Sequence, residues 1–214
     1  MAESGKTYPA SLSVDYPDRE LNRLTTFFRI IATIPIGIIL WLVIGAAWDS
    51  GDDRRWAVNL SAGGLLFLAT MLMLVFRQKY PRWWFDWNIA LTKFGTRVGA
   101  YLALLRDEYP STDEEQAVHI EIPYPDAKAD LNRWLPLVKW LLAIPHYIVL
   151  IFLGIAALVV VMIAWFAILF TGRYPKGLFD FVVGVMRWSL RVNAYAILLT
   201  TDEYPPFALS EQAL

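Results

Sequence analysis

The sequence predicts an all-α integral membrane protein: a tandem repeat of two transmembrane hairpins, about four membrane helices in total, with cytoplasmic interfacial amphipathic helices and short strands. Three observations carry that expectation. Ile30 to Trp48, Trp56 to Phe76 and Trp140 to Phe170 hold no formal charge, and each is long enough to cross a hydrocarbon layer about 30 Å thick. An ordered set of short words occurs twice along the chain. An amphipathic segment follows each apolar stretch.

The repeated words fix the order of parts. Tyr16-Pro17-Asp18, Leu21-Asn22-Arg23 and Ile34-Pro35 return as Tyr124-Pro125-Asp126, Leu131-Asn132-Arg133 and Ile144-Pro145. Tyr80-Pro81-Arg82, Phe85-Asp86, Arg97, Ala100-Tyr101 and Asp107-Glu108-Tyr109-Pro110 return as Tyr174-Pro175-Lys176, Phe179-Asp180, Arg191, Ala194-Tyr195 and Asp202-Glu203-Tyr204-Pro205. The chain therefore divides into repeat 1 over residues 1–112 and repeat 2 over 113–214. Together they form one integrated membrane domain, because neither copy is expected to bury its surface alone.

Each repeat opens on a short strand, since Ser11 to Tyr16 and Val118 to Ile122 alternate polar and apolar residues. Tyr-Pro-Asp breaks the strand, and Asp18 or Asp126 is a candidate helix cap, with Asp130 competing in repeat 2. An apolar helix follows, which Pro35 or Pro145 is expected to kink near the interface. In repeat 1 this helix ends at the loop Asp49 to Arg55, and a second span runs from about Trp56 to Phe76. Repeat 2 has no such loop and is 16 residues shorter between the corresponding prolines. Its uncharged stretch would make roughly 46 Å of helix, long for one untilted span and short for two. If both Tyr-Pro segments lie on one side, repeat 2 is also a hairpin, turning near Gly154-Ile155-Ala156. One tilted helix is the alternative.

Arg19, Arg23, Arg29, Arg77, Lys79 and Arg82 flank the first hairpin, and Lys128, Arg133, Lys139, Arg173 and Lys176 flank the second. By the positive-inside rule the protein is multi-pass with both termini cytoplasmic. Trp48 and Trp56 bracket the outer loop, while Trp83, Trp84, Trp87 and Trp134 mark the inner boundary, as an anchoring belt. The amphipathic segments are Trp83 to Leu105 and Leu178 to Leu199. Asp86, Lys93 and Arg97 fall on one helical stripe, and Asp180, Arg187 and Arg191 repeat it at the same spacing.

Composition agrees with a membrane setting and removes several chemistries. The chain is 57% hydrophobic and 18% charged, outside the range of ordinary soluble domains. A net charge of −1 favours no nucleic-acid partner. With no cysteine and 2 histidines, neither a thiolate nor a histidine-rich metal site is expected. No Gly-rich phosphate loop, Gly-x-Ser-x-Gly elbow or His-Glu-x-x-His occurs, so no catalytic residue and no cofactor is expected.

The paired Tyr-Pro-Asp, Leu-Asn-Arg, Ala-Ile-Pro-His-Tyr, Arg-Tyr-Pro, Arg-Val-Asn-Ala-Tyr and Thr-Asp-Glu-Tyr-Pro-Pro-Phe segments resemble the prokaryotic membrane family of domain of unknown function 4389, in two tandem copies. The resemblance spans both halves. It implies a bacterial or archaeal cytoplasmic-membrane protein and no particular reaction. Repeat 1 departs from it around its outer loop and at Thr33, where repeat 2 has Ala143.

Two readings apply to the charged stripes. Lys93, Arg97, Arg187 and Arg191 bind anionic lipid headgroups or phosphate, oriented by Asp86 and Asp180. Alternatively, Asp86–Lys93 and Asp180–Arg187 neutralise one another where the repeats pack about a pseudo-twofold axis, and this is the simpler reading. Asn22, Arg23, Asn132 and Arg133 are anchor candidates, the amides capping a turn or tying one repeat to the other. His146 reads as a satisfied histidine, and Asp107-Glu108 and Asp202-Glu203 as solvated helix ends. Ser61 to Gly64 offers a small-residue face for helix contact. The expected function is non-enzymatic: a scaffold or accessory subunit that meets lipid headgroups or partner proteins through its cytoplasmic face. Its partners are membrane lipids and a membrane-protein complex or homo-oligomer. A small transport or channel component comes second, and a lipid-modifying enzyme third.

Overall fold

The structure, a computed structural model, describes residues 8–44, 62–112, 114 and 116–211, with the side chains of 39–44 and 62–65 left aside. In chain order the elements are β1 (Ser11–Val14), α1 (Arg23–Ile44), α2 (Ala62–Arg77), α3 (Arg82–Leu102), β2 (Val118–Glu121), α4 (Pro136–Leu142), α5 (Ile144–Thr171) and α6 (Lys176–Ala196).

The two strands pair with each other, antiparallel, with Leu12 opposite Ile120 and Val14 opposite Val118. Their alternation decides the register: these four apolar side chains point into the core, while Ser13, His119 and Glu121 face outward. α6 packs on β1 and α3 on β2. The next layer is α5, which runs along α6, with α1 beside it. The main core joins the layers: Leu12, Val118 and Ile120 from the sheet, Phe179, Val182 and Leu190 from α6, and Ala164 and Ile168 from α5.

α3 and α6 share their ends as well as their lengths. Pro81 and Pro175 precede them in extended backbone, which suits a helix start where no amide hydrogen is needed. After each helix a leucine takes a left-handed conformation, Leu104 at φ 63° and Leu199 at φ 57°. A branched side chain there costs about 1–2 kcal/mol. Both leucines are buried, and that burial offsets the strain.

The four-span arrangement is overturned. Among the described residues one helix, α5, is long and apolar enough to cross a membrane, and Leu66–Arg77 within α2 is a shorter apolar helix. The second apolar stretch does not turn near Gly154. It is one continuous helix of 28 residues, closed at Gly172, whose left-handed φ of 74° lets its amide hydrogen reach the Ile168 carbonyl at 2.8 Å. The physical reason is local. Gly154-Ile155-Ala156 contains no residue that halts a helix in apolar surroundings, and nothing lies within 4 Å of a Cβ built on Gly154. Pro35 lies inside α1, its expected place, whereas Pro145 stands in the first turn of α5, after a break at Ala143, and not inside a helix. The expected outer loop Asp49 to Arg55, Trp48, Trp56 and Ser61 lie outside the described residues.

Contacts of one half recur in the other. The Tyr16 hydroxyl donates to the Tyr174 carbonyl, and the Tyr124 hydroxyl donates to the Tyr80 carbonyl, so each crosses between halves. Phe179 meets Tyr16 and Tyr174 edge-on, and Phe85 meets Tyr124 and Tyr80 likewise.

Candidate functional site

The strongest electrostatic features are two buried cations that pair with carboxylates, Arg29 and Lys139. Arg29 of α1 is 2% exposed. It ion-pairs with Asp107, donates to the carbonyls of Tyr101 (2.9 Å) and Arg106, and stacks 4.4 Å from the Tyr101 ring. Lys139 of α4 is 0% exposed. It ion-pairs with Asp202 at 2.6 Å, donates to the Thr201 carbonyl at 2.6 Å, and lies 5.2 Å from the Tyr195 ring. Arg29 serves a carbonyl of the last turn of α3, that of Tyr101, whereas Lys139 serves Thr201 in the segment after α6. Desolvation pushes the Lys139 ammonium down from its ordinary value, against the pull of Asp202.

The anchor residues complete these two corners. The Asn22 side chain accepts from the amides of Leu24 and Thr25, capping α1, and its own amide donates to Asp107 at 2.7 Å. Asn132 accepts from the Trp134 amide and donates its own to Asp202 at 2.5 Å. Asp126 caps a turn by accepting from Lys128 and Ala129, and Asp130 accepts from the Asp126 amide; neither begins α4. Arg133 donates to the carbonyls of Val75 and Phe76 at the C-terminal end of α2, joining the halves. Arg23 is exposed.

The stripe residues do not neutralise one another. Asp86 pairs with Arg82, one helical turn before it, at 3.3 Å on the surface, and Asp180 is exposed. Lys93 borders a hollow with Tyr8, Ile120 and Glu121. The guanidinium groups reach backbone carbonyls instead. Arg97 donates to Ser111, Arg187 to Leu12 and Leu209, and Arg191 to Ala208 and Ser210, the last at 3.0 Å. Arg191 is 1% exposed and bonds the chain's end to α6. Glycine is needed there, because a Cβ on Gly184 would stand 2.9 Å from that of Leu209. The physical reason is reach: Arg82 stands one turn from Asp86 on the same helix, and the Arg187 and Arg191 guanidinium groups are taken by carbonyls of β1 and the C-terminal segment.

Sequence reasoning missed the role of the Asp-Glu words. Asp107 and Asp202 hold buried cations, while Glu108 is turned to Arg106 at 2.6 Å, which keeps its carboxyl below the ordinary range. The available signal was Arg29 and Lys139 occupying equivalent places in the repeated words. His146 is buried at the start of α5. Its Nδ1 accepts from the Trp188 indole at 3.1 Å, and its ring stacks on Phe207 at 4.0 Å.

A hollow of about 480 Å³ lies between α3 and α6 and is bordered by Leu66 and Phe67 of α2. Asn88, Thr92 and Thr96 of α3 and Ser189 and Asn193 of α6 give it a polar stripe in an apolar wall. No charged side chain among the described residues lines it. Among the described residues no group of three or more histidines or carboxylates could hold a metal ion.

No curated protein and no solved structure matches the chain. The resemblance to two tandem copies of one family is found once, over the second half, and not twice. Residues 134–208 match the model of the family described as a domain of unknown function, DUF4389.

Proposed function

We propose that the protein is a non-enzymatic scaffold or accessory subunit of a prokaryotic membrane, built from two copies of one unit locked together. The observation that carries this reading is the division of its surface. Ile148, Phe152, Ile155, Leu158 and Phe166 of α5 and Phe27, Ile30 and Ile31 of α1 are all exposed, large apolar side chains on two neighbouring helices, the kind of surface that marks a membrane or protein contact. Lipid is a solvent that suits such a surface. The reciprocal tyrosine contacts support the two-copy reading, since each half completes the other. The buried cations support a structural rather than a chemical role, because backbone carbonyls and neighbouring carboxylates already engage them. Membrane lipids and protein subunits are the partners this reading assigns.

A second reading, as a small transport component, is favoured by the hollow between α3 and α6, whose polar stripe comes from both halves. One experiment separates the two. The tagged chain is purified from its native membrane under mild conditions and weighed intact by native mass spectrometry. A protein bound in fixed stoichiometry supports the scaffold. A small amphiphile bound in fixed stoichiometry, with no protein partner, contradicts it in favour of transport.

A further inference from the structure

We infer that α5 lies flat in one leaflet of a lipid bilayer, parallel to the membrane plane, rather than crossing it. This rests on the membrane reading above and specifies the surface involved. α5 is about 42 Å long, enough to cross with some tilt. Length alone does not decide its orientation, because the rest of the protein follows it from end to end. At its start His146 bonds to Trp188, and Leu150 and Leu153 pack with Val192 and Tyr195. At its middle Gly154 and Leu158 border a hollow with Val182 and Met186. Near its end Ala164 and Ile168 enter the core with Phe179, the Trp165 indole donates to the Thr26 carbonyl at 3.2 Å, and the Gly172 carbonyl accepts from Leu21 at 2.8 Å. α6 therefore runs antiparallel beside α5.

Behind α6 comes polar surface. Arg187, five residues beyond Val182, bonds to the Leu12 carbonyl of β1, and the outer side of that sheet carries Ser13, His119 and Glu121, all exposed. An upright α5 would hold this polar sheet at the depth of the hydrocarbon. Ser13 and Glu121 would then lose their water, and so would the exposed His119–Asp15 pair, at a cost of several kcal/mol in lipid. A flat α5 removes the conflict. Its outer side meets acyl chains, and the sheet faces water.

The charges at one end agree. Leu21 bonds to the Gly172 carbonyl, so Arg23 and Arg173, both exposed, stand near the end of α5. Beside a flat helix these two cations reach the headgroups, where anionic lipid attracts them. The occupant of this surface is thus the acyl layer of a single leaflet.

The chain has no cysteine, so single cysteines introduced on the outer side of α5 carry spin labels without background. Ile148→Cys, Ile155→Cys and Phe166→Cys are read one at a time in vesicles of phosphatidylcholine and phosphatidylglycerol. Depth comes from the ratio of collision rates with oxygen and with a water-soluble nickel complex. The outer two sites are about 27 Å apart along the helix. A flat helix gives three similar depths within one leaflet. A profile deepest at Ile155 and shallow at both ends overturns the proposal and leaves the membrane reading standing. Dipolar broadening between labels places a second copy on this surface and overturns it as well. Labelled protein that stays in solution contradicts the membrane reading itself.

Discussion

Asp202→Ala is expected to destabilise the protein by about 3–5 kcal/mol, measured as loss of unfolding free energy in detergent micelles. Lys139 has no exposed surface, and Asp202 is its only acidic partner among the described residues. Truncating the carboxylate leaves an ammonium group in low dielectric with one carbonyl, that of Thr201, and also strips the Asn132 amide of its acceptor. The double variant Lys139→Met/Asp202→Leu removes both charges together and should lose far less, because an apolar pair of similar volume carries no desolvation cost. The pH dependence has a definite sign. Burial lowers the Lys139 value in the folded protein below its ordinary 10.5, so between the folded and unfolded values the unfolded chain binds more protons. Stability therefore rises with pH in that window, and it should rise more steeply in Asp202→Ala, where the opposing pull of the carboxylate is gone. A loss below about 1 kcal/mol would mean that the pair is solvated and structurally idle.

Arg29→Ala is expected to cost as much or more, again about 3–5 kcal/mol, because the guanidinium serves three acceptors at once. It neutralises Asp107 and satisfies the Tyr101 and Arg106 carbonyls, and it covers one face of the Tyr101 ring. The protein itself contains the informative comparison. At the equivalent corner Lys139 holds one carboxylate and one carbonyl. Arg29→Lys should therefore keep the Asp107 contact and lose one carbonyl bond, a cost of about 1–3 kcal/mol. The ordering wild type, Lys, Ala in denaturation midpoint is the expected result. A lysine variant as unstable as the alanine variant would show that fork geometry, rather than charge, holds this corner.

These two corners also explain where reasoning from sequence stopped. The amphipathic helices were readable from the spacing of their charges, and the strands from their alternation, because both patterns are local. The partner of each charge was not. Asp107 and Asp202 lie beside glutamates in words that look like solvated helix ends, and their cations come from residues 78 and 63 positions earlier. Only the folded chain brings them together. α5 failed for the opposite reason. Residues 140–170 carry no local signal that separates one long helix from two short ones, and equating the two halves imposed a turn that the residues near Gly154 do not encode. The arginines of the stripes lie on α3 and α6, but their acceptors are backbone carbonyls of other segments, which leave no mark in the sequence.

The account depends most on the claim that the apolar side of α1 and α5 is covered by lipid. Flotation of the purified chain with liposomes on a density gradient tests it directly, after detergent removal and a wash in high salt and alkaline carbonate. The account predicts that the protein rises with the vesicles and stays there through the wash, since burial of apolar surface, unlike headgroup charge, is not screened by salt. Protein left at the bottom of the gradient as a soluble monomer would contradict it.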